Sequence, residues 1–272
     1  MTYPFIELAL AQRLERTEAA ANARFVEARA NIDPNRQATW QDVQGTWAMF
    51  DGVGSPLTQS FGLGMFAEPD APTLDALEAF FRDRGAAVDH EVSALALGSP
   101  LPLLSSRGYA PIELTSVMFR PASLGGNAVT PAATAPRTRL TGPEEGAAWA
   151  DAAADGWSEV PELVPFVREI STVFAQAAGA HCFAAEVDGT LAAAGVLAVH
   201  DGVALLAGAS TRPAFRRRGA QLALLRARLQ HAEALGCDLA MMCASPGSAS
   251  QRNAERNGFR IAYTRIKWRL SR

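Results

Sequence analysis

One segment constrains this sequence more than any other: an arginine-rich loop between a predicted strand and a predicted helix. Residues 203–210 are small and apolar, as in a buried strand. Residues 221–235 repeat apolar side chains at helical spacing, which predicts a helix with one buried face. That face is formed by Leu222, Leu225, Leu229 and Ala232. Residues 211–221 join the two elements and are called the Arg-rich loop below.

The Arg-rich loop has the chemistry of an anion site. A helix begins with backbone N–H groups that have no intrahelical partner, and its dipole favours a negative group at that end. Gly219 has no side chain to block an approaching phosphate, and Arg216, Arg217 and Arg218 add fixed positive charge. The loop therefore predicts a pyrophosphate site. The alternative interpretation is the start of an ordinary surface helix.

The order of residues in the loop resembles a signature of the Gcn5-related N-acetyltransferases, the GNAT superfamily. In that family an Arg/Gln-x-x-Gly-x-Gly/Ala sequence holds the pyrophosphate of acetyl-CoA, and Arg216-x-x-Gly219 matches it. Gln221 departs from the pattern, because it stands where Gly or Ala is usual.

A second motif follows at the family's spacing. Residues 237–244 predict an apolar central strand, and a short helix with Asn253 and then Gly258-Phe259 come after it. This order resembles the C-terminal segment of GNAT enzymes, in which such an Asn contacts the cofactor. The resemblance covers residues 137–270. It implies that acetyl-CoA is bound by Ala209, Ser210, Thr211, Arg216, Arg217, Arg218, Gly219, Ala220, Gln221 and Asn253.

The resemblance implies an acetyl-CoA-dependent N-acetyltransferase that acetylates a primary amine of a small molecule or peptide. Such a reaction needs a neutral amine, a polarised carbonyl and a protonated leaving thiolate. In the family, backbone N–H groups polarise the carbonyl, which corresponds here to residues 207–211. Many relatives protonate the sulfur with a Tyr four positions before the Gly of Gly-Phe, but Ala254 stands there. No acid or base is assigned; the candidates are Glu186, Ser248 and Ser250, with His181 as a further base, and each has a structural interpretation as well.

Residues 157–166 mix apolar and acidic side chains. In GNAT proteins this region forms one wall of the acceptor site, which makes Trp157 and Glu159 candidate substrate-binding residues. The alternative is that Trp157 and Phe166 belong to the core. The missing Tyr also leaves open a different function, an acyl-CoA-binding sensor or interaction module without catalysis. Transfer of another acyl group, or transfer to a hydroxyl, is a third interpretation.

The first half of the chain repeats the predicted order of elements found in the second half. The predicted helices are 5–30, 74–84 and 101–107, and the predicted strands are 39–50, 57–66, 88–97 and 109–119. In the counterpart of the Arg-rich loop, Glu68 and Asp70 replace the arginines, and two carboxylates would repel a pyrophosphate. The first half is therefore predicted to be a degenerate GNAT copy without cofactor, with an unrelated α+β domain as the alternative.

The second half is predicted to begin with a strand at 136–140 and a capping box between Thr141 and Glu144. Its centre is a three-strand meander over 181–187, 190–199 and 203–210 with two Asp-Gly turns, and its end is a strand at 260–270. The predicted fold class is α/β (α+β in some schemes), with two domains that each have a mixed, mostly antiparallel sheet flanked by helices. The predicted divisions are domain 1–125, linker 126–136 and acetyltransferase domain 137–272.

Composition excludes several classes of partner. The net charge is −3, divided into −6 for residues 1–125 (nine Arg against fifteen Asp and Glu) and +3 for residues 126–272, which is too little positive charge for nucleic acid. The acidic first half favours a cationic acceptor such as a polyamine, aminoglycoside or basic peptide. No apolar run approaches the roughly 20 residues of a membrane span, and the N-terminus has no signal-peptide pattern. Three cysteines without metal-ligand spacing indicate a cytoplasmic protein with no metal. A homodimer is left open.

Overall fold

The computed structural model describes residues 3–123 and 135–271. Contacts divide the chain into two compact units. The loop unit is Pro121–Ala240, and the terminal unit combines Tyr3–Arg120 with Met241–Arg272. These units differ from the predicted division, because the chain returns to the terminal unit after residue 240. The division into two ancestral domains stays a prediction, and residues 126–134 of the predicted linker lie outside the described residues.

The helices and strands are as follows. The helices are α1 Leu8–Ile32, α2 Ala71–Arg82, α3 Leu101–Ser106, α4 Gly146–Asp155, α5 Val164–Phe174, α6 Ala220–Ala234 and α7 Ala249–Arg256. The strands are β1 Thr39–Val43, β2 Thr46–Phe50, β3 Gln59–Phe61, β4 Asp89–Ser93, β5 Tyr109–Pro121, β6 Arg137–Leu140, β7 Ala180–Val187, β8 Thr190–His200, β9 Val203–Thr211, β10 Leu239–Ala244 and β11 Arg260–Leu270.

The terminal unit is a mixed sheet in the order β1-β2-β3-β4-β11-β5, and the end of β10 lies beside β5. The β3–β4 pair is parallel, whereas β1–β2, β2–β3, β4–β11 and β5–β11 are antiparallel. The predicted packing residues of α1, which are Leu10, Leu14, Phe25 and Val26, are all buried. A second apolar cluster packs α2 and α3 on the sheet through Leu74, Leu77, Phe81, Leu104 and Trp268.

Two strands predicted in the terminal unit were wrong. Residues 39–50 form a hairpin, not one strand, because Gln44 and Gly45 have φ values of 51° and 82° and make a two-residue turn. Val43 pairs with Thr46 across that turn. The strand predicted at 57–66 is reduced to β3, since the left-handed Gly62 and Gly64 (φ 83° and 75°) end it.

The loop unit contains the predicted antiparallel meander, with strand order β9-β8-β7-β6. Both Asp-Gly turns are confirmed: Asp188, Gly189, Asp201 and Gly202 all have positive φ. The helices α4 and α6 contact β8 and β9. Trp149 of α4 is buried and donates its indole N–H to the Phe183 carbonyl at 2.9 Å. The predicted α/β class with mostly antiparallel sheets flanked by helices is confirmed.

Two local predictions in the loop unit need correction. The Thr141–Glu144 capping box is wrong: the Glu145 carboxylate accepts from the Gly142 N–H at 2.9 Å, and the Thr141 hydroxyl donates to the Cys182 carbonyl. A short 3-10 turn at Pro143–Glu145 precedes α4 and shifts the cap by one residue. On α6, Leu225, Leu229 and Ala232 are buried as predicted. Leu222 is only half-buried, and the missed buried residues are Ala220, Leu224 and Arg228.

Candidate functional site

A cavity of about 460 Å³ in the loop unit brings together seven of the fifteen predicted site residues. It lies where the ends of α4 and β9 meet the Arg-rich loop. Its lining residues are Gly156, Trp157, Glu159, Val160, Ala209, Ser210, Thr211, Arg216 and Gln221. Five of these were predicted to bind cofactor and two were predicted to bind acceptor, so both ends of the proposed reaction share one cavity.

The helix that follows the Arg-rich loop begins without a side-chain cap. Gly219 is the N-cap of α6 with φ 83°, a left-handed conformation that glycine adopts without strain. No side chain accepts from the first-turn N–H groups there. Among the described residues, a Cβ at Gly219 would meet only the Pro136 ring, at 3.8 Å, so this part of the structure leaves the space over the helix start open. Unpaired N–H groups facing open space make this end of α6 suited to an anion.

Two arginines of the loop, Arg216 and Arg218, are held by exposed carboxylates. Arg216 Nη1 lies 2.5 Å from Glu159 Oε2, and its Nη2 donates to the Gly156 carbonyl at 3.0 Å. Arg218 pairs with Asp188 at 2.6 Å, and Arg217 is exposed with φ 59°. Exposed pairs of this kind contribute about 0–1 kcal/mol each. A phosphate can therefore replace these carboxylates at little cost.

Gln221, the departure from the family pattern, spans the loop. Its side-chain carbonyl accepts from the Thr211 hydroxyl at 3.1 Å, which ties the end of β9 to the start of α6. Ala220 beside it is buried.

Gly156 shapes the cavity, and no sequence pattern predicts this role. Gly156 ends α4, and a Cβ there would lie 2.6 Å from Ser210 Cβ and 3.1 Å from the Thr211 nitrogen. The Ser210 hydroxyl donates to the Ala153 carbonyl at 2.8 Å. The end of α4 therefore presses directly on the end of β9. The only signal was a glycine directly after an alanine-rich helix.

The strand β9 is irregular beside the cavity. Ala194 pairs with Ser210, but Val196 pairs with Ala207, so Gly208 and Ala209 together oppose Gly195. Gly208 has φ 55°. This is a β-bulge of the type with a left-handed glycine, and its extra residue is left out of the ladder.

The acceptor candidates lie at the mouth of the cavity. Trp157 is 43% exposed, so its assignment to the core was wrong, and Phe166 is half-buried. Glu159 and Trp157 both line the cavity, and the Glu159 carboxylate is the partner of Arg216.

The catalytic candidates lie elsewhere. The Glu186 carboxylate accepts from Arg139 Nε at 2.8 Å, and neither Glu186 nor His181 lines this cavity. His181 Nδ1 lies 3.3 Å from His231 Nε2, and burial first and then the neighbouring His231 lower the pKa of His181.

The remaining three candidates, Asn253, Ser248 and Ser250, belong to the terminal unit on or beside α7. Ser248 is the N-cap of α7 and accepts from the Gln251 N–H at 3.1 Å, and Ser250 is exposed. Their roles in cofactor binding and catalysis stay predictions.

The segment predicted to be the counterpart of the Arg-rich loop has its helix start capped by a carboxylate. Asp70 is the N-cap of α2, and its carboxylate accepts from the Thr73 N–H at 2.9 Å and from the Thr73 hydroxyl at 2.6 Å. Hydrogen bonds from Thr73 lower the pKa of Asp70. The chain's own carboxylate thus fills the position that an anion would take.

The described ranges, 3–123 and 135–271, hold no group of three or more His, Cys, Asp or Glu placed to bind a metal. Their three cysteines, Cys182, Cys237 and Cys243, are free thiols. None of the helices in the described part of the chain has the length and apolar character that a bilayer crossing requires.

The family model for the acetyltransferase (GNAT) domain matches residues 137–246. No curated protein matches the sequence. A GCN5-related N-acetyltransferase from Kribbella flavida has a similar structure, with a TM-score of 0.65 at 18% identity, over 92% of this chain and 95% of that one. A GCN5-related N-acetyltransferase from Sphaerobacter thermophilus gives 0.52 at 17% identity, over 97% and 93%. A tandem GNAT protein from the clavulanic acid biosynthesis pathway gives 0.53 at 15% identity, over 84% and 79%.

At these identities the solved structures show a shared fold, and the family model describes residues 137–246. The matched residues include the meander, the Arg-rich loop and α6. Residues 137–246 thus match the domain of the GNAT acetyltransferases, a family of acyltransferases.

Proposed function

We propose that this protein is an acetyl-CoA-dependent N-acetyltransferase that acetylates a cationic primary amine. The observation that carries the proposal is the cavity of about 460 Å³ in the loop unit, which is lined by Arg216 and Gln221 of the Arg-rich loop and also by the Glu159 carboxylate. The acetyltransferase family of residues 137–246 supports acetyl-CoA as the donor.

The residues at the Arg-rich loop fit the pyrophosphate of CoA. The first-turn N–H groups of α6 have no side-chain cap, and Gly219 leaves the approach open. Arg216 and Arg218 hold only exposed, exchangeable ion pairs. When bound, acetyl-CoA supplies an acetyl group activated as a thioester. We assign Arg216, Arg218 and the start of α6 to its phosphates and residues 209–211 to its acetyl end.

Glu159 and Trp157 have the chemistry to hold a cationic amine. A carboxylate and an exposed aromatic ring both attract an ammonium group. In the structure Glu159 is paired with Arg216. When a phosphate takes Arg216, the Glu159 carboxylate becomes free to receive the ammonium of the acceptor, so we expect acetyl-CoA to promote acceptor binding.

The terminal unit is proposed to be a degenerate copy that binds no CoA. The Asp70 carboxylate occupies the start of its helix α2 by accepting from the Thr73 N–H. It leaves no room for a phosphate there and repels one by its negative charge. One CoA per chain follows from this assignment.

The proposal is tested by calorimetric titration of the purified protein with acetyl-CoA and CoA. The wild type should bind one equivalent. Gly219→Leu should abolish binding, because a side chain there blocks the helix start. Gly236→Leu is a matched control at the other end of α6, where Gly236 has φ 78° and open space around it. Both variants should lose about 1–2 kcal/mol of unfolding free energy from left-handed strain, but only Gly219→Leu should lose CoA.

A second variant tests the arginines without changing the backbone. The double substitution Arg216→Glu, Arg218→Glu should also remove CoA binding, whereas Arg226→Glu on the exposed face of α6 should not. Unchanged CoA affinity in both the glycine and the arginine variants would overturn the assignment of the loop.

The rival function, a CoA-binding module without catalysis, is favoured by two observations. Ala254, at the position of the family's Tyr, is fully buried, and Glu186 is engaged by Arg139. A panel of polyamines, aminoglycosides and basic peptides decides between the two. Saturable acetylation of any cationic amine establishes the enzyme, and CoA binding without turnover across the panel establishes the binding module.

A further inference from the structure

A buried arginine lies behind the bulge of β9. Arg228 of α6 is 3% exposed, and no carboxylate of the described residues forms an ion pair with it. Burial lowers the pKa of Arg228 to about 10, so it remains a cation at neutral pH. A buried cation without a counterion is costly, and an apolar side chain at this position of α6 would pack without that cost.

The guanidinium of Arg228 donates hydrogen bonds to three backbone carbonyls. Its Nη1 donates to Val196 at 3.1 Å and to Ala207 at 3.3 Å, and its Nε donates to Leu224 at 3.3 Å. Val196 and Ala207 are the register pair at the edge of the bulge. Arg228 therefore bridges β8 and β9 at the point where the ladder is interrupted.

Gly195 makes room for this arrangement. A Cβ at Gly195 would lie 3.2 Å from Cζ and Nη1 of Arg228. Glycine inside a strand marks a bulge or a close approach, and here it marks both. Gly195 faces Gly208 and Ala209, the two residues of the β9 bulge, and also lies against the guanidinium.

We propose that Arg228 is a positioning residue for acetyl transfer: its guanidinium fixes the β9 bulge so that backbone N–H groups of Gly208 and Ala209 face the thioester carbonyl. The inference rests on the proposed function. Ala209 lines the cavity, and an N–H released from the ladder by a bulge is free to donate to the oxygen that gains charge in the reaction. Arg228 itself touches neither cofactor nor acceptor in this assignment.

The test compares kcat and KM in Arg228→Met, Arg228→Lys and Arg226→Met. Arg228→Met should lower kcat by about 10²-fold, the usual effect of a displaced donor. KM for acetyl-CoA and the affinity for CoA should stay at wild-type values, because the phosphates contact the Arg-rich loop. Arg228→Lys keeps the charge and should recover part of kcat. Arg226→Met, on an exposed position of the same helix, should behave as wild type.

Amide resonances test the role of Arg228 without any turnover, so this test does not depend on detecting acetyl transfer. In the wild type, the amide resonances of Gly208 and Ala209 should differ between the CoA and acetyl-CoA complexes, and in Arg228→Met this difference should vanish. Should Arg228→Met fail to fold, Gly195→Ala crowds the guanidinium by one methyl group and should reproduce the loss of kcat.

The inference is overturned if Arg228→Met keeps wild-type kcat and loses only thermal stability, which is the result for a purely structural arginine. It is also overturned if the wild type binds CoA but the Ala209 resonance is the same with and without the acetyl group. That second outcome leaves the CoA site intact. A wild type that binds no CoA contradicts the proposed function and this inference together.

Discussion

A carboxyl group buried in the terminal unit should make the protein less stable as pH rises towards neutral, which is the opposite of the usual effect of a carboxyl group. Glu15 of α1 is 1% exposed, accepts from the Tyr263 hydroxyl at 2.9 Å and lies 3.4 Å from Arg265. Burial raises the pKa of Glu15 from 4.5 to about 7, against the attraction of Arg265 and with further repulsion from Glu18 and Glu91. The folded protein therefore holds the Glu15 proton up to near neutral pH.

The change in unfolding free energy with pH follows from the size of this pKa shift. The folded state binds the proton more tightly than the unfolded state, so the contribution of Glu15 is fully present below pH 4.5 and is lost as pH rises through about 7. Each pKa unit corresponds to about 1.4 kcal/mol, which makes the whole effect about 3 kcal/mol. Glu15→Gln is a neutral isostere of the protonated acid and removes this loss.

A histidine in the same unit acts in the opposite direction. His90 is fully buried between Ser60 (Nδ1 to Oγ 2.6 Å) and Tyr109 (Nε2 to Oη 3.0 Å), and burial lowers its pKa to about 4. Its contribution is present above pH 6.5 and is lost as pH falls towards 4. The two groups therefore oppose each other between pH 4.5 and 6.5, and wild-type stability should change little in this window through these two groups.

The assay is urea unfolding at pH 5, 6, 7 and 8, followed by tryptophan fluorescence. Glu15→Gln should match the wild type at pH 5 to within about 1 kcal/mol and gain about 2–3 kcal/mol relative to it by pH 8. The difference between the two proteins isolates Glu15, since His90 is common to both. Parallel stability profiles from pH 5 to pH 8 would refute the reasoning and show that Glu15 is ionised in the folded protein.

Three further predictions concern the loop unit and its counterpart. Glu159→Gln frees Arg216 and should tighten CoA binding by at most about 1 kcal/mol, while raising KM for a cationic amine; calorimetry and steady-state kinetics measure the two effects. Gly156→Ala forces a methyl group against Ser210 and should cost about 1–3 kcal/mol of stability together with CoA affinity, which thermal unfolding and the same titration detect. Asp70→Ala removes the cap of α2 and should cost about 1 kcal/mol without creating a second CoA site, so binding should stay at one equivalent.

The parts of the loop unit that could be predicted are those whose conformation is determined by residues adjacent in sequence. An Asp-Gly pair adopts the left-handed turn of a hairpin on its own, so the meander was predictable from its two turns. The Arg-rich loop was recognisable because Gly219, the arginines and the helix that follows are contiguous. Gln44-Gly45 makes the same kind of turn with a less distinctive pair, and the β1–β2 hairpin was therefore missed.

What could not be predicted depends on residues far apart in sequence. Gly156 is an ordinary helix end until Ser210 is brought against it. A charged residue on a helix is normally solvated, so Glu15 and Arg228 gave no sign of burial. Arg265 ion-pairs with Glu15 and Glu18 of α1, about 250 residues away along the chain, and no local pattern records such a pairing.

The two units hold their charges in ways that suit different tasks. In the loop unit the arginines of the site are exposed and paired with exposed carboxylates, so a phosphate can displace each partner for less than about 1 kcal/mol. In the terminal unit Arg265 is 2% exposed and is surrounded by Glu15, Glu18 and Glu91, and its nearest partner is Glu18 at 2.7 Å. Removing the Glu18 carboxylate would leave the buried guanidinium without that partner. An exchangeable cation serves ligand binding, whereas a buried and fully enclosed one fixes a single packing. The exposed ion pairs of Arg216 and Arg218 therefore support the proposal that the Arg-rich loop binds a ligand, whereas the enclosed Arg265 has a structural role.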